Sequence, residues 1–136
     1  MAGSVKITRQ HVRARTQSRY VEKVRVDWVG DAGDGSVPNT VIPSLCGYVF
    51  KAVTIPGAPN PTANYNVNLF DPDAPTFSTL IGKLNSRSAS AVEEVYIIPT
   101  GGVAPVVVAG DYTFSISGNS VLGAKGTVIF YIQETF

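Results

Sequence analysis

The chain is poor in the residues on which most enzyme active sites depend. Its 136 residues include one histidine, one cysteine and one tryptophan. The single cysteine, Cys46, excludes an intramolecular disulfide framework, so packing or assembly must stabilise the fold. The one histidine, His11, stands among arginines, and no second histidine is present to serve a serine or cysteine nucleophile as its base. We therefore predict no catalytic residue, no cofactor and no metal site, in a chain that is not an enzyme.

Charge and long apolar runs are also scarce. Charged residues make up 15% of the chain against 44% hydrophobic residues, whereas about a quarter charged residues is usual for soluble domains. A surface with little charge favours contact with other protein. No stretch approaches the ~18 apolar residues of a bilayer-spanning helix, and the first residues are polar and basic where a signal sequence would be apolar. We expect neither membrane insertion nor a cleaved secretory signal.

The charge that is present divides unevenly along the chain. The first 25 residues hold seven of the eleven Lys and Arg and one carboxylate, a net charge of +6. The other 111 residues hold four cations and nine carboxylates, a net charge of −5. Asymmetry of this kind draws a small protein to a partner of opposite sign. The predicted partner-binding residues are Lys6, Arg9, Arg13, Arg15 and Arg19.

The basic segment lacks a sustained apolar pattern, because Val5, Ile7 and Val12 are too sparse to bury a helix or strand without help. A segment of this composition is flexible in isolation and becomes ordered by lying against something else. We therefore divide the chain into a basic N-terminal arm at residues 1–17 and a folded body at residues 18–136. The arm is expected to dock on a molecule outside its own body.

Two other interpretations of the basic residues stay open. The cations Arg19, Lys23 and Arg25 share one parity of a predicted strand, and a solvated charged face that protects a sheet edge needs no partner. Nucleic acid is the less favoured partner: cations at this density would release counterions from phosphate, but no aromatic residue lies among the arginines before Tyr20 to stack on bases.

The body is predicted to be all-β. Strict alternation or short apolar runs favour strands at 19–28, 47–55, 64–69, 94–98, 112–117 and 127–133, with a further short strand at 104–108. Gly, Pro and Asp separate these runs, and no window has helical periodicity. The pattern predicts an antiparallel β-sandwich or a jelly-roll-like barrel. Glu22 alone breaks the first alternation, and the last strand, apolar on both faces, is expected to be central or to meet another subunit.

Two sets of candidate ligands have simpler interpretations. The pairs Asp31 and Asp34, and Asp71 and Asp73, lie in Gly- or Pro-rich turns that calcium could use, but neither has the spacing of a full calcium loop. Turn capping is the favoured role of all four. Cys46 begins a strand that is predicted to be buried, so we expect a small core residue rather than a reactive thiol.

Three segments of the body resemble small virion structural proteins of tailed bacteriophages. They are VDWVGDAGDGSV, IPGAPNPTANYNVNLFDPD and VVVAGDYTFSISGNSVLGAKGTVIFYIQE, each of which joins a strand to a turn rich in Gly, Pro or Asp. Together they extend over roughly residues 24–134 and leave the arm unmatched. The segment APTFSTLIGKLNSRSASA departs from the shorter acidic turn expected at its position.

The resemblance implies a β-rich virion component that assembles in the host cytoplasm. It would form a homo-oligomer and bind the capsid shell as a decoration or cement protein, so its partners would be itself and the major capsid or neck protein. One alternative is a component of the head-to-tail junction or tail. Another, from the residues themselves, is a carbohydrate-binding sandwich whose aromatic platform would be drawn from Tyr48, Phe50, Tyr65, Phe70 and Phe77.

Overall fold

The computed structural model describes residues 2–13, 20–71, 73, 84–97 and 106–134. These residues form seven strands of one antiparallel sheet and no helix, which confirms the predicted all-β class. No helix in this part of the chain is long and apolar enough to cross a membrane. The strands are β1 (Ser4–Arg13), β2 (Tyr20–Val29), β3 (Thr40–Pro56), β4 (Asn66–Phe70), β5 (Glu93–Tyr96), β6 (Val106–Ser117) and β7 (Lys125–Glu134).

The sheet runs in the order β1-β2-β7-β3-β6-β4, and β5 also pairs with β3. Strand β3 makes this possible because its first part, residues 40–49, pairs with β6, while residues 51–54 pair with β5. On its other side, residues 48–56 pair with β7. Strand β3 therefore belongs to two parts of the sheet, one ordered β1-β2-β7-β3-β5 and the other ordered β3-β6-β4.

Aromatic contacts join these two parts across the core. The ring centroids of Trp28 on β2 and Tyr65 just before β4 lie 5.7 Å apart. Phe114 on β6 meets Phe130 on β7 edge-on, with ring centroids 6.4 Å apart. Neither contact joins hydrogen-bonded neighbouring strands, so the sheet curls until its two parts face each other. All four side chains are fully buried, which places the core between the two parts.

The central strands follow the alternation predicted from the sequence. In β4 and β7, buried and partly exposed residues alternate along the strand. Strand β7 lies between β2 and β3, which confirms its predicted central position. Its Gly126 pairs with Trp28, and a Cβ added to Gly126 would lie 2.5 Å from the indole ring. A side chain at this position would therefore displace the tryptophan from the core.

Strand β3 begins earlier than the predicted start at residue 47 and contains a bulge. The register with β6 shifts between Ile42 and Leu45, and Ser44 within the bulge has a φ of 53°. Bulges admit proline within a strand, which accounts for Pro43 at this point. The shift changes the alternation, so Leu45 is buried and Cys46 is exposed. The prediction that Cys46 belongs to the core is therefore wrong.

The largest difference from the prediction concerns the basic arm. Residues 4–13 form strand β1, and every residue from Ser4 to Arg13 pairs antiparallel with β2. Val5 and Ile7 pack against the core. Over these residues the structure differs from an extended arm, because β2 supplies the backbone partners that so few apolar residues could not secure alone. The predicted boundary between residues 17 and 18 lies outside the described residues.

Candidate functional site

Alternation sends the side chains of β1 and β2 to two faces of the sheet. One face packs on the core; we call the other the outer face, and register pairing extends it across β7, β3 and β5. Five cations and two carboxylates share it, a net charge of +3. They are Lys6, Lys23, Arg25, Lys51, Lys125, Asp27 and Glu94. The predicted outward position of Lys23 and Arg25 is confirmed.

Aromatic rings lie between the cations of the outer face. The ammonium group of Lys23 is 5.4 Å from the centroid of the Tyr131 ring, and that of Lys51 is 5.0 Å from the same centroid. Lys51 also lies 6.0 Å from the ring centroid of Tyr96, and the Phe50 ring is 6.2 Å from the ring of Tyr131. Contacts of this kind attract each lysine to the face of the ring and favour a defined position for its ammonium group.

Ion pairs satisfy part of the charge on this face. The Nζ of Lys51 lies 2.9 Å from Glu94 Oε1, and this hydrogen bond is the main reason that the pKa of Lys51 is raised. Burial acts to raise the pKa of Asp27, but hydrogen bonds from Thr127 and Arg25 and the charge of Lys6 outweigh it, so that pKa is lowered. Asp27 therefore stays ionised and holds β2 to β7 through Thr127 at 2.7 Å.

A shallow depression of about 180 Å³ lies on the outer face where β1, β2 and β7 meet. Thr8, Gln10, Lys23, Arg25 and Ile129 line it. Two cations and two neutral hydrogen-bonding side chains around one depression form an arrangement suited to a carboxylate or another anion.

The opposite face of β1 has a different function, because it attaches the strand to the body. The guanidinium of Arg9 donates from Nε to Glu22 Oε2 and from Nη2 to Glu22 Oε1, each at 2.9 Å. It also donates to the carbonyl oxygens of Pro43 and Ser44 on β3, the latter at 3.0 Å. Glu22 is 1% exposed. The residue that breaks the predicted alternation is therefore on the buried side and is paired with an arginine from β1.

His11 extends this cluster to β7. Its Nε2 lies 3.2 Å from Glu22 Oε2 and 3.1 Å from Glu134 Oε1. In the described part of the chain, His11, Glu22 and Glu134 form a group of possible metal ligands. Their donor atoms all lie within 4.8 Å of one another. Both oxygens of Glu22 already accept hydrogen bonds from Arg9, so the geometry favours a structural ion-pair cluster.

The predicted partner-binding residues lie at separate places. Lys6 is exposed on the outer face, whereas Arg9 faces the core side of the sheet. Arg13 pairs through its backbone with Tyr20 at the end of the β1–β2 hairpin. Arg15 and Arg19 lie outside the described residues. That these five residues bind a partner stays a prediction.

Sequence reasoning missed Lys51, Tyr131 and Glu94. They come from three different strands, and only the pairing of β3 with both β7 and β5 brings them together. Alternation within β7 could have placed Tyr131 on the face opposite Phe130. No local signal relates that position to Lys51 or Glu94.

Of the aromatic residues proposed for a carbohydrate platform, Tyr48 and Phe50 are half-buried on β3, and Phe70 is half-buried on β4. Tyr65 is fully buried in the core, where burial raises its pKa, so it cannot belong to a surface platform. Phe77 lies outside the described residues.

The acidic turns cap themselves as predicted. Asp31 Oδ1 accepts a hydrogen bond from the backbone of Gly33 at 2.6 Å, and Asp34 Oδ1 accepts from Ser36 N at 2.9 Å and Ser36 Oγ at 2.6 Å. These bonds lower the pKa of Asp34. Asp71 similarly accepts from the backbone of Asp73 at 2.9 Å. Turn capping is thus confirmed for Asp31, Asp34 and Asp71.

The outer face combines cations beside aromatic rings, a polar depression and a ten-residue strand, β1, at the border of the sheet. Binding by such a face depends on charge and shape and is compatible with several classes of partner. Comparison of the chain with protein-family models, with curated proteins and with solved structures found no match.

Proposed function

We propose that this chain is a non-enzymatic structural protein of a tailed bacteriophage virion, whose copies associate with one another and bind the capsid shell as a decoration or cement protein. The curled sheet would be a β-sandwich or a jelly-roll-like barrel that presents its basic face to the shell. The proposal combines the resemblance over residues 24–134 with the charge distribution of the folded chain.

The observation that carries the proposal is the basic outer face of β1 and β2, with its depression around Lys23 and Arg25. The whole chain has a net charge of +1 and the outer face one of +3, so the rest of the molecule has a net charge of −2. One molecule therefore has both a cationic face and a complementary anionic remainder, as expected of a protein that binds its own copies or an acidic shell.

Docking would use a preformed sheet instead of a flexible arm. Lys6, Lys23 and Arg25 stand on paired strands, so little backbone order has to be gained on binding. Arg13, which pairs with Tyr20 at the end of β1, would add charge there. Arg9 would contribute indirectly by holding β1 in place.

Copy number tests the proposal. Particles made by cells that carry the coding sequence should be purified, treated with nuclease and analysed by quantitative mass spectrometry against the major capsid protein. A decoration protein is expected at a copy number within a small factor of that of the shell protein, whereas the alternative, a head-to-tail junction component, is expected as a single ring. Absence of the chain from washed particles would refute both assignments.

The association of the chain with particles should also respond to charge. Double substitution of Lys23 and Arg25 by Gln removes two cations of the depression without deleting a strand. We expect this variant to occupy particles less fully than the wild-type chain at low salt. The difference should shrink as salt is added, because salt screens the charge that the wild type uses. Substitution of Lys125 by Gln is the control for loss of an outer-face cation outside the depression, because Lys125 is exposed and does not line the depression.

A carbohydrate-binding module is a second candidate, favoured by the neighbouring rings of Phe50, Tyr96 and Tyr131 on the outer face. Aromatic rings beside polar groups are common in sugar sites. A glycan array probed with the full chain distinguishes this candidate. Reproducible binding to one glycan class, lost on Tyr96→Ala, would favour it over a particle protein.

A further inference from the structure

The part of the sheet that carries the outer face ends in two strands of opposite charge. In the order β1-β2-β7-β3-β5, β1 contains Lys6, Arg9 and Arg13 and no carboxylate, while β5 contains Glu93 and Glu94 and no cation. Within the described ranges, no strand pairs with the outer side of either one. One molecule therefore has a basic edge and an acidic edge on the same sheet.

The basic edge is suited to pairing with another strand. Strand β1 is ten residues long, its pairing with β2 is continuous, and it contains no proline or glycine. Edge strands of this length expose backbone donors and acceptors that another strand can use. Two copies of β1 side by side would bring like charges together, which is destabilising. The charge of β1 thus opposes pairing with itself and favours an acidic strand.

The exposed charge of the acidic edge lies on the same face of the sheet as the exposed charge of the basic edge. Glu94 lies on the outer face with its side chain 56% exposed, and Lys6 is exposed on the same face. A sheet that continues from one molecule to the next keeps its faces aligned, so Lys6 of one copy and Glu94 of another would lie on the same face. Their opposite charges favour the register that places them side by side. In the Lys51–Glu94 ion pair, Glu94 is 56% exposed and Lys51 is 21% exposed. A partly exposed pair of this kind contributes little to stability, so Glu94 could change partner at modest cost.

We propose that β1 of one copy pairs with β5 of the next, so that the outer-face sheet continues between molecules with Lys6 facing Glu94. This inference rests on the self-association in the proposed function and specifies its contact. Successive strands from β1 to β5 alternate in direction, so β1 and β5 point the same way. Copies related by rotation about an axis along the strands would therefore pair them in parallel.

A contact between two different edges is heterologous, so it either closes into a ring or continues as a filament. The four residues of β5 allow few backbone hydrogen bonds per contact. Each contact is weak, and closure of a ring would stabilise the assembly because every copy is then held on both sides. The inference therefore predicts a closed ring with few stable species between monomer and ring.

Reversal of the two charges tests the contact. The molar mass of the full-length chain is measured by light scattering during size-exclusion chromatography, for Lys6→Glu, Glu94→Lys and the combined variant. We expect the wild-type chain to elute as one multimer, each single variant to shift to monomer, and the combined variant to recover the multimer. An equimolar mixture of the two single variants should also recover it, because each can pair with the other at both edges.

Two controls separate the contact from folding. Lys125→Glu reverses an exposed charge on β7, away from both edges, and should leave the multimer unchanged. Lys51→Met removes the intramolecular partner of Glu94 but keeps the carboxylate, and should also leave the multimer intact. Fluorescence of Trp28, fully buried in the core, reports whether each variant is folded.

Three outcomes would overturn the inference. A wild-type multimer that neither reversal disrupts would leave self-association standing and exclude the β1–β5 contact. Stronger association of Lys6→Glu together with no effect of Glu94→Lys would indicate β1–β1 pairing instead. A monomeric wild-type chain at its highest soluble concentration would refute the contact, while copy number in particles would still decide the proposed function independently.

Discussion

The two edge strands of the sheet, β4 and β1, are held by different contacts. The first part of strand β4 is covered: Val67 N donates to Leu84 O at 3.0 Å, and Tyr65, just before the strand, forms a bridge with Arg87. Strand β1 has no such cover in the described part of the chain and is held instead through β2 and the Arg9–Glu22 pair. A covered edge strand cannot pair with a strand of another molecule. An uncovered, charged edge strand repels strands of the same charge and can pair with a strand of opposite charge.

The largest effect on the free energy of unfolding is expected from a substitution in the segment that covers β4. Leu84 is fully buried, so Leu84→Ala leaves a cavity beneath the segment that protects the edge. We expect a loss of about 3 kcal/mol in the free energy of unfolding. Urea denaturation followed by Trp28 fluorescence measures it. A loss below about 1 kcal/mol would show that the cover packs loosely, since well-packed leucines cost more.

The next largest effect on stability is expected from the ion pair that attaches β1 to the body. Arg9→Met removes the guanidinium from a carboxylate that is 1% exposed, and we expect a loss of about 2 kcal/mol, less than for a fully buried pair because Arg9 is partly exposed. The combined variant Arg9→Met with Glu22→Leu should be more stable than Arg9→Met alone, because no unpaired carboxylate remains. Equal or lower stability of the combined variant in urea would argue against the pair as the main attachment of β1.

Protonation of Asp27 at low pH should destabilise the part of the sheet that contains β1 and β2. Its pKa is below the ordinary 3.8, so its stabilising contribution is complete above that value and is lost as pH falls through the folded pKa. The exposed position limits the loss to less than about 1 kcal/mol. Comparison of wild type and Asp27→Asn between pH 5 and pH 2 by urea denaturation measures it. The difference in stability between them should shrink toward the acid end; a constant difference contradicts the assignment.

The smallest effect is expected at the open edge itself. Lys6→Gln changes an exposed side chain on β1 and should alter the free energy of unfolding of the monomer by less than about 0.5 kcal/mol. Measurement on dilute protein separates this from any effect on association. A larger loss would mean that Lys6 stabilises its own molecule. The edge at β1 would then be held by contacts within the molecule, as the edge at β4 is.

Several features of the fold could be predicted from short stretches of sequence. The alternation of Val24, Val26 and Trp28 predicted β2, and that of Val67 and Leu69 predicted β4, because a half-buried strand exposes every second residue wherever it lies. The same rule failed at Cys46, where the bulge at Ser44 changed the alternation. A bulge depends on the partner strand, which local alternation does not reveal.

The candidate site was less accessible to sequence reasoning. The sequence indicated Lys6, Arg9, Arg13, Arg15 and Arg19 by charge alone, and it treated Glu22 as an exception to the alternation. Glu22 is buried because Arg9, thirteen residues earlier, neutralises it. An ion pair between two strands depends on register, and register is decided by pairing over the whole strand.

The sequence by itself determined the all-β class, most of the strands and the concentration of positive charge in the first residues, since these depend on local alternation, turn residues and composition. Only the tertiary structure decided that the basic segment is a strand, which of its cations are engaged, and which strands end the sheet. Asp27 and Thr127, one hundred residues apart, are in contact only because β2 and β7 pair. Contacts between distant residues depend on how strands pair and on which edges are left open, and no local pattern specifies that choice.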